Sequence, residues 1–185
     1  MALLRTQQEK DMIGRHSSFT AVETTLAKVV DLLLRNDRLK RLLYYTDKHA
    51  LGLPKLNTEQ SMSLLNNQIK IVPKLQIDSD AKPYVILTLD NFVPNEDQTT
   101  FRSFTLGIDI LCPYEFWPLG DFKLRPYSIA GEIDAMVNKS FVTSGGVADF
   151  MGAKQLLINE NIGGLSLFYN VETLKDDYRL HAPEP

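Results

Sequence analysis

The spacing of apolar residues changes along the chain, and this change limits the folds that the chain can adopt. Up to about residue 46 apolar residues recur every three or four positions, as on one face of a helix. From residue 84 they recur at nearly every second position, as in strands. The strands follow one another in pairs, whereas a doubly wound parallel sheet needs strands and helices that alternate. The pattern therefore predicts an α+β fold.

Two stretches carry the clearest helical spacing. The first covers 20–46, where Thr20 and Glu23 form the T-x-x-E pattern of a capping box. Within it, Asn36 either interrupts the helix or caps a new one. The second covers about 126–138 and has a proline in its first turn. Its inward side chains are Ile129, Ile133, Met136 and Val137, with Glu132 and Asp134 outward.

A short helix and a mostly antiparallel sheet of about four to five strands complete the expected fold. The short helix runs from Asn57 or Thr58 to about Asn67, with Met62 and Leu65 inward. The strands are predicted over 84–89, 101–111, 154–159 and 165–171, with an edge strand at most around Pro73. A polar loop over 91–99 joins the first pair, and the glycine-rich ENIGG turns the last pair into a hairpin.

The chain is expected to form one domain. The long N-terminal helix and the helix at 126–138 pack against the sheet. The resulting α+β domain covers 17–175. The polar ends are predicted to be a flexible arm at 1–16 and a flexible tail at 176–185.

The residue types that build catalytic and metal sites are scattered. The histidines at 16, 49 and 181 lie far apart, and one cysteine, Cys112, stands before a proline. The sequence has no metal-binding motif, nucleophile elbow or phosphate loop. We therefore expect no enzyme activity, no cofactor and no bound metal. No apolar stretch is long enough to cross a bilayer, so no membrane partner is expected.

Charge is divided unevenly along the chain. Residues 1–75 hold 12 Lys and Arg against 7 Asp and Glu, a net charge of +5. Residues 76–185 hold 8 against 16, a net charge of −8. One basic end and one acidic end would let copies stack head to tail, or lie between partners of unlike charge. The alternative is that the first half simply carries solvated charges on its helices.

A basic run in RNDRLKRLLYY marks the first candidate contact surface. Its members are Arg35, Arg38, Lys40 and Arg41, with Tyr45 close behind. On a helix Arg38 and Arg41 share a face with Tyr45, and arginine beside tyrosine can contact a partner protein or a nucleic acid. The sequence pI of about 5.6 argues against nucleic acid as the main ligand. An ordinary solvated helix face is the alternative.

Two loops and an aromatic segment are further candidates for contact with neighbouring molecules. The loop at 91–99 carries Asn95, Glu96 and Asp97, and the tip of the closing hairpin carries Glu160. Residues 112–127 are rich in aromatic side chains and prolines, Trp117 among them. Such a segment either lies at a protein interface or packs over its own sheet.

The order of these parts resembles that of bacteriophage tail-terminator and head–tail joining proteins. A strand pair, YVILTLDNF and FRSFTLGIDILCP, precedes the helix RPYSIAGEIDAMVNKSF, and KQLLINE and GGLSLFYNV form a closing hairpin. The long helix at 20–46 also fits this plan. The segment 47–80 and the two ends depart from it.

The resemblance implies a structural virion protein. Such a protein would form a ring of six copies at the end of the tail tube, stop tube growth and join the tube to the neck or head. Its partners would be further copies, the tail tube protein and the neck or connector protein, with non-specific contact to DNA in the lumen. It would be assembled in the host cytoplasm and reside in the virion. The alternatives are another neck, sheath-end or baseplate component, or a small non-viral protein-binding module.

Overall fold

The computed structural model describes residues 19–71, 82–94, 101–140, 142 and 147–174. In these residues the chain is α+β, as predicted, with helices packed on one face of a five-stranded mixed sheet. The helices are α1 (Phe19–Arg35), α2 (Asp37–Tyr44), α3 (Thr58–Ser63) and α4 (Arg125–Val137). The strands are β1 (Ile69–Lys70), β2 (Tyr84–Pro94), β3 (Phe101–Pro113), β4 (Ala148–Leu157) and β5 (Ile162–Leu174).

The strand order is β1-β2-β3-β5-β4. The two predicted pairs are confirmed, since β2 is antiparallel to β3 and β4 is antiparallel to β5. The central contact joins β3 to β5, also antiparallel. The strand β1 lies parallel to β2 at one edge and pairs through Ile69 and Lys70. It is thus an edge strand, as expected for this stretch, although Pro73 lies outside the described residues.

One hydrophobic core lies between the helices and one face of the sheet. Alternation along the strands directs every second side chain toward the helices. The fully buried members include Val29, Leu33, Leu39, Leu42, Ile129, Ile133 and Val137 from the helices and Val85, Leu106, Ile108, Tyr169 and Val171 from the strands. A smaller cluster of Tyr84, Ile86, Leu111 and Ile162 occupies the other face.

The first helix is divided at Asn36. The backbone of Asn36 is extended, and its side chain accepts hydrogen bonds from the N–H groups of Arg38 and Leu39 at 2.9 and 3.0 Å. Asn36 therefore caps α2 as a new helix, which is the second of the two alternatives for this residue within 20–46. Thr20 is not the N-cap of α1, because α1 already includes Phe19.

The short helix α3 is confirmed, with different buried residues. Asn57 caps it through reciprocal bonds with Gln60, which form a capping box. Of the two side chains predicted to point inward, Met62 is 56% exposed, whereas Leu65 is partly buried against the core, next to the completely buried Leu64. The helix ends at Ser63 instead of near Asn67, so the helical spacing on which the prediction was based does not continue beyond Ser63.

The strands are longer than predicted. Strand β2 reaches Pro94, so the first part of the predicted loop at 91–99 is strand that follows a bulge between Asp90 and Val93. Strand β4 begins at Ala148 instead of 154. The glycines of ENIGG lie in β5 instead of the turn, where Gly164 pairs with Leu111. A Cβ at Gly164 would overlap the carbonyl oxygen of Ile110, so this position needs glycine for close approach.

Candidate assembly surfaces

Two members of the basic run, Arg35 and Lys40, form ion pairs with acidic residues close in sequence. Arg35 lies 2.6 Å from Asp31 one turn earlier, and both side chains are mostly exposed. Lys40 is largely buried and lies 3.0 Å from Asp37, which also contacts Lys55 at 2.9 Å. The hydrogen bonds from Lys55 and Lys40 lower the pKa of Asp37 to about 2. The exposed pair of Arg35 and Asp31 adds little to stability.

Arg38 joins α2 to α4 through Glu132. Its Nε donates to Glu132 Oε1 at 2.6 Å, and Asn36 Nδ2 donates to Glu132 Oε2 at 3.0 Å. Desolvation raises the pKa of Glu132, but the hydrogen bonds from Asn36 and Arg38 outweigh it, so the pKa is lowered overall. The solvated, outward position predicted for Glu132 is therefore wrong. Asp134 is not simply solvated either, because it accepts a hydrogen bond from the Tyr169 hydroxyl at 3.1 Å.

Arg41 and Tyr45 hold the segment that follows α2. The Arg41 guanidinium donates to the carbonyl oxygens of Leu51 and Leu53. The Tyr45 hydroxyl donates to the carbonyl oxygen of Pro54 at 3.3 Å. Both side chains are thus occupied inside the chain. Contact of Arg35, Arg38, Lys40, Arg41 and Tyr45 with another molecule stays a prediction.

Arg125, which the sequence analysis missed, is the most highly connected side chain of this region. It is completely buried, and it donates five hydrogen bonds of 2.6 to 3.0 Å to the carbonyl oxygens of Leu42, Tyr45, Thr46, Asp47 and Phe116. The guanidinium thereby joins the C-terminal end of α2 to the start of α4. Carbonyls at a helix C-terminus attract positive charge, which favours arginine there. Nothing in the sequence around Arg125 marks it as buried.

The aromatic segment at 112–127 has a packed part and a projecting part. The rings of Tyr114 and Trp117 lie 5.1 Å apart, and the Trp117 indole N–H donates to the Cys112 carbonyl at 3.0 Å. The Cys112 thiol is buried, and burial raises its pKa to about 12. Trp117 therefore packs over its own chain, and its contact with a neighbour stays a prediction.

Phe122 projects from this segment. A bridge between Pro118 and Leu124 closes a small hairpin, and Phe122 at its tip is fully exposed. Asp121 and Phe122 have φ values of 60° and 56°, the left-handed pair of a type I′ turn. The part around Trp117 thus fits the alternative in which the segment packs over its own chain, whereas a protein interface at the projecting part stays a prediction.

Strand β4 is exposed along most of its length. Helix α4 packs on β3 and β5, so β4 lies beyond the helix layer at the edge of the sheet. Exposed apolar side chains follow one another along this strand and its turn: Phe150 at 44%, Met151 at 63%, Leu157 at 71% and Ile158 at 39%. On its outer side, residues 138–140 cover the start of β4: the Lys139 N–H donates to the Ala148 carbonyl, the Ala148 N–H donates to the Ser140 carbonyl, and the Phe150 N–H donates to the Asn138 side chain. From Met151 onward the described residues supply no second strand beside β4, and such an edge is a template for pairing with another chain.

A second free edge lies on the opposite side of the sheet. Strand β1 covers Val85 and Ile86 of β2, and the described residues supply no strand beside the outer side of 87–89. Two apolar side chains further along β2 are exposed, Phe92 at 44% and Val93 at 50%. We call the outer side of β4 from Met151 onward and the outer side of β2 at 87–89 the two free edges.

The predicted loop candidates lie near strand ends. Glu160 is exposed in the turn between β4 and β5, as expected, and the Asn159 side chain orders this turn by accepting from the N–H groups of Asn161 and Ile162 at 2.8 and 2.9 Å. Asn95, Glu96 and Asp97 lie outside the described residues, as do the predicted arm at 1–16 and tail at 176–185. Contact of Glu160 with a neighbour stays a prediction.

The described residues contain neither a metal-binding cluster nor a membrane-spanning helix. No group of three or more His, Cys, Asp or Glu side chains in that part of the chain is arranged to hold a metal ion. None of the helices described has the length and apolar character needed to cross a membrane.

Comparison with known proteins identifies a family. The family model described as YomW matches residues 36–171, from the N-cap of α2 into β5, and thus spans both free edges. YomW is a phage-derived protein name, of the SPbeta prophage type, which suggests a phage origin. A search of curated proteins found no match. Because the matched residues make up well over half of the sequence, the chain belongs to the YomW family.

Proposed function

We propose that this protein is a structural component of a phage particle, of the tail-terminator type. It would form a ring at the end of the tail tube, stop tube growth and join the tube to the neck or head. One observation carries the proposal: β4, an edge strand of ten residues, exposes apolar side chains, and from Met151 onward no strand of the described residues lies on its outer side. Isolated chains ordinarily protect such an edge, so a neighbouring chain is its natural cover.

The second free edge supports a ring over a simple pair. A closed ring needs a heterologous interface, in which two different surfaces of the same chain meet. The strand order places β4 and the exposed part of β2 at opposite edges of the sheet, so each copy presents two different edges. The unequal charge of the two halves of the sequence supports head-to-tail contact as well.

The partners of such a ring follow from its position. The proposed partners are five further copies, the tail tube protein on one side and the neck or connector protein on the other. DNA that passes through the lumen would make weak, sequence-independent contacts. The role is non-catalytic and needs no cofactor, and the protein would be assembled in the host cytoplasm and reside in the virion.

Phe122 favours a second candidate function, a protein-binding module. A fully exposed aromatic side chain on a tight turn is typical of an anchor that fills a pocket of another protein. In a phage particle this anchor would also suit another neck, sheath-end or baseplate component. In the first candidate it would serve the contact with the partner above or below the ring.

The molar mass in solution tests the proposal. Light scattering would be measured across protein concentration and salt, because charged interfaces weaken as salt rises. One discrete mass of six subunits of 21.0 kDa supports the ring. A monomer at every concentration, together with specific binding of a single non-viral protein, supports the binding module instead. Quantitative mass spectrometry of purified phage particles would then place the protein in the virion or outside it.

A further inference from the structure

We propose that two free copies of this chain form a two-fold dimer, in which the outer side of β4 in one copy pairs with the same strand of the other. The paired segment is 153–157, beyond the part of β4 that residues 138–140 cover. A two-fold contact closes at two copies and occupies the edge that the proposed ring would use. Dimer and ring would thus be alternative states of one edge, so the inference goes beyond the proposed function.

The start of β4 shows which of its backbone groups face outward. The Phe150 N–H points away from β5, because it donates to the Asn138 side chain at 3.3 Å. Phe150 lies opposite Tyr169, and Ala153, after the bulge, lies opposite Leu167. Tyr169 and Leu167 are two residues apart on β5, so their backbone groups point the same way. The N–H and carbonyl of Ala153 therefore face outward like those of Phe150.

The end of β4 gives the same result independently. The Ile158 N–H points inward, because it donates to the Ile162 carbonyl across the hairpin at 3.1 Å. Backbone directions alternate along a strand, so Leu157, Gln155 and Ala153 all face outward. Within the described residues the N–H and carbonyl groups of these three have no partner on that side.

A two-fold axis at Gln155 provides a partner for each of these groups. Gln155 then faces its own counterpart, and Ala153 of each copy faces Leu157 of the other. Residues that face each other in this way exchange both of their backbone hydrogen bonds. Leu157, which is 71% exposed, would be covered beside the small Ala153. The two Gln155 amides can bond each other as well, since each has donors and an acceptor.

The charge on this edge favours the same register. Side chains alternate along a strand, so Lys154 and Leu156 project from the opposite face of the sheet. With the axis at Gln155, Lys154 of each copy lies beside Leu156 of the other. An axis at Lys154 would instead place two like charges directly opposite and leave Leu157 unpaired. The free segment is therefore complementary to itself, which identifies its occupant as a second copy.

The covered start of β4 does not obstruct this pairing. In the proposed register the residues 148–150 of one copy lie opposite 160–162 of the other, where that chain turns from β4 into β5. These residues need no partner from the second copy, because 138–140 already bond them. Helix α4 packs on β3 and β5, so the helix layer leaves space beside β4.

A cysteine at the axis tests the register. Across the axis the two Cα atoms at 155 would lie about 5.5 Å apart, which a disulfide can span. The natural Cys112 is the one cysteine of the sequence and is buried. Oxidation of Gln155→Cys with diamide should therefore give a cross-linked species of twice 21.0 kDa on a non-reducing gel. Lys154→Cys is the matched control, because its Cα atoms would be roughly 8 Å apart and should not cross-link.

Opposite charges at the axis test the two-fold symmetry. In light scattering the wild type should have twice the mass of 21.0 kDa, and Gln155→Lys or Gln155→Glu alone should be a monomer. An equal mixture of the two variants should recover the dimer mass, because only a residue on the axis faces its own counterpart. Ala135→Lys, at an exposed position on α4, should leave the dimer unchanged. Circular dichroism and urea unfolding would check that every variant folds.

Three results would overturn the inference. Equal cross-linking of Gln155→Cys and Lys154→Cys would show that the copies meet without this register. A wild type that stays monomeric up to its solubility limit would exclude the dimer, while the proposed ring would still be decided by the composition of phage particles. A mass of six subunits with no dimer at lower concentration, and no cross-link at 155, would exclude the dimer and support the ring.

Discussion

Arg125 satisfies five backbone carbonyls with a completely buried side chain, and its planar guanidinium suits this number. Lysine offers three donors, so Arg125→Lys would leave at least two of these buried carbonyls without a partner. Since a buried unsatisfied group costs about 1–3 kcal/mol, we expect the variant to lose about 3 kcal/mol of unfolding free energy. Urea unfolding followed by Trp117 fluorescence would measure it.

The exposed Arg35 provides the control for this measurement. Arg35→Lys keeps the charge beside Asp31, and its unfolding free energy should stay within about 0.5 kcal/mol of the wild type. Equal stability of Arg125→Lys and Arg35→Lys would contradict the role given to Arg125.

Phe122 stands where stability alone would favour glycine. Its φ of 56° costs a side-chain-bearing residue roughly 1 kcal/mol, and the exposed ring makes no compensating contact in solvent. Phe122→Gly should therefore raise the free energy of unfolding by about 0.5–1 kcal/mol. Phe122→Ala is the comparison, because it keeps the Cβ and should gain nothing. A destabilised glycine variant would show that the ring supports the fold.

At the scale of elements, the junction between α1 and α2 depends on Asn36. This side chain caps α2 and also reaches Glu132 on α4. Asn36→Ala should cost about 1–2 kcal/mol of unfolding free energy, the upper range for a helix cap. Asn57→Ala on α3 should cost less, because α3 buries none of its residues. Equal losses in the two variants would show that the contact to α4 contributes nothing.

Acid should weaken the start of α2 in a defined pH range. Lys55 and Lys40 lower the pKa of Asp37 from 3.8 to about 2 in the folded protein. A lowered carboxyl pKa contributes stability above pH 3.8, and this contribution is lost as the pH falls toward about 2. Stability measured from pH 5 downward should therefore decline less steeply in Asp37→Asn than in the wild type. If the unfolding free energies of Asp37→Asn and the wild type fell in parallel with pH, Asp37 would not be a source of the acid sensitivity.

At the scale of the whole molecule, protection should be unequal across the sheet. Strands β3 and β5 are paired on both sides, whereas β4 is paired on one side in the described chain. Amide hydrogen exchange in the monomer should thus be faster in β4 than in β5. In the assembled state β4 should gain protection, while the hairpin at 118–124 should not. Protection gained at that hairpin alone would favour the binding module.

Local patterns sufficed for most of the elements of this fold. The change from helical to alternating spacing predicted the α+β class, and the Pro126 start and apolar spacing predicted α4 to within one residue. The two strand pairs were also readable, because each pair depends on residues close in sequence. The exact strand ends were not, because bulges and neighbouring strands extended β2 and β4 past their apolar runs.

The candidate surfaces needed the tertiary structure, because exposure depends on what the rest of the chain covers. Arg41 and Trp117 look like contact residues in sequence, yet both hydrogen-bond to carbonyls of their own chain. The sequence of β4 does not show that the helix layer leaves this strand uncovered. Residue spacing thus decided which segments became helices and strands, through local backbone and hydrophobic preferences. Packing between distant segments decided which strand stayed uncovered, since that depends on where the helix layer ends.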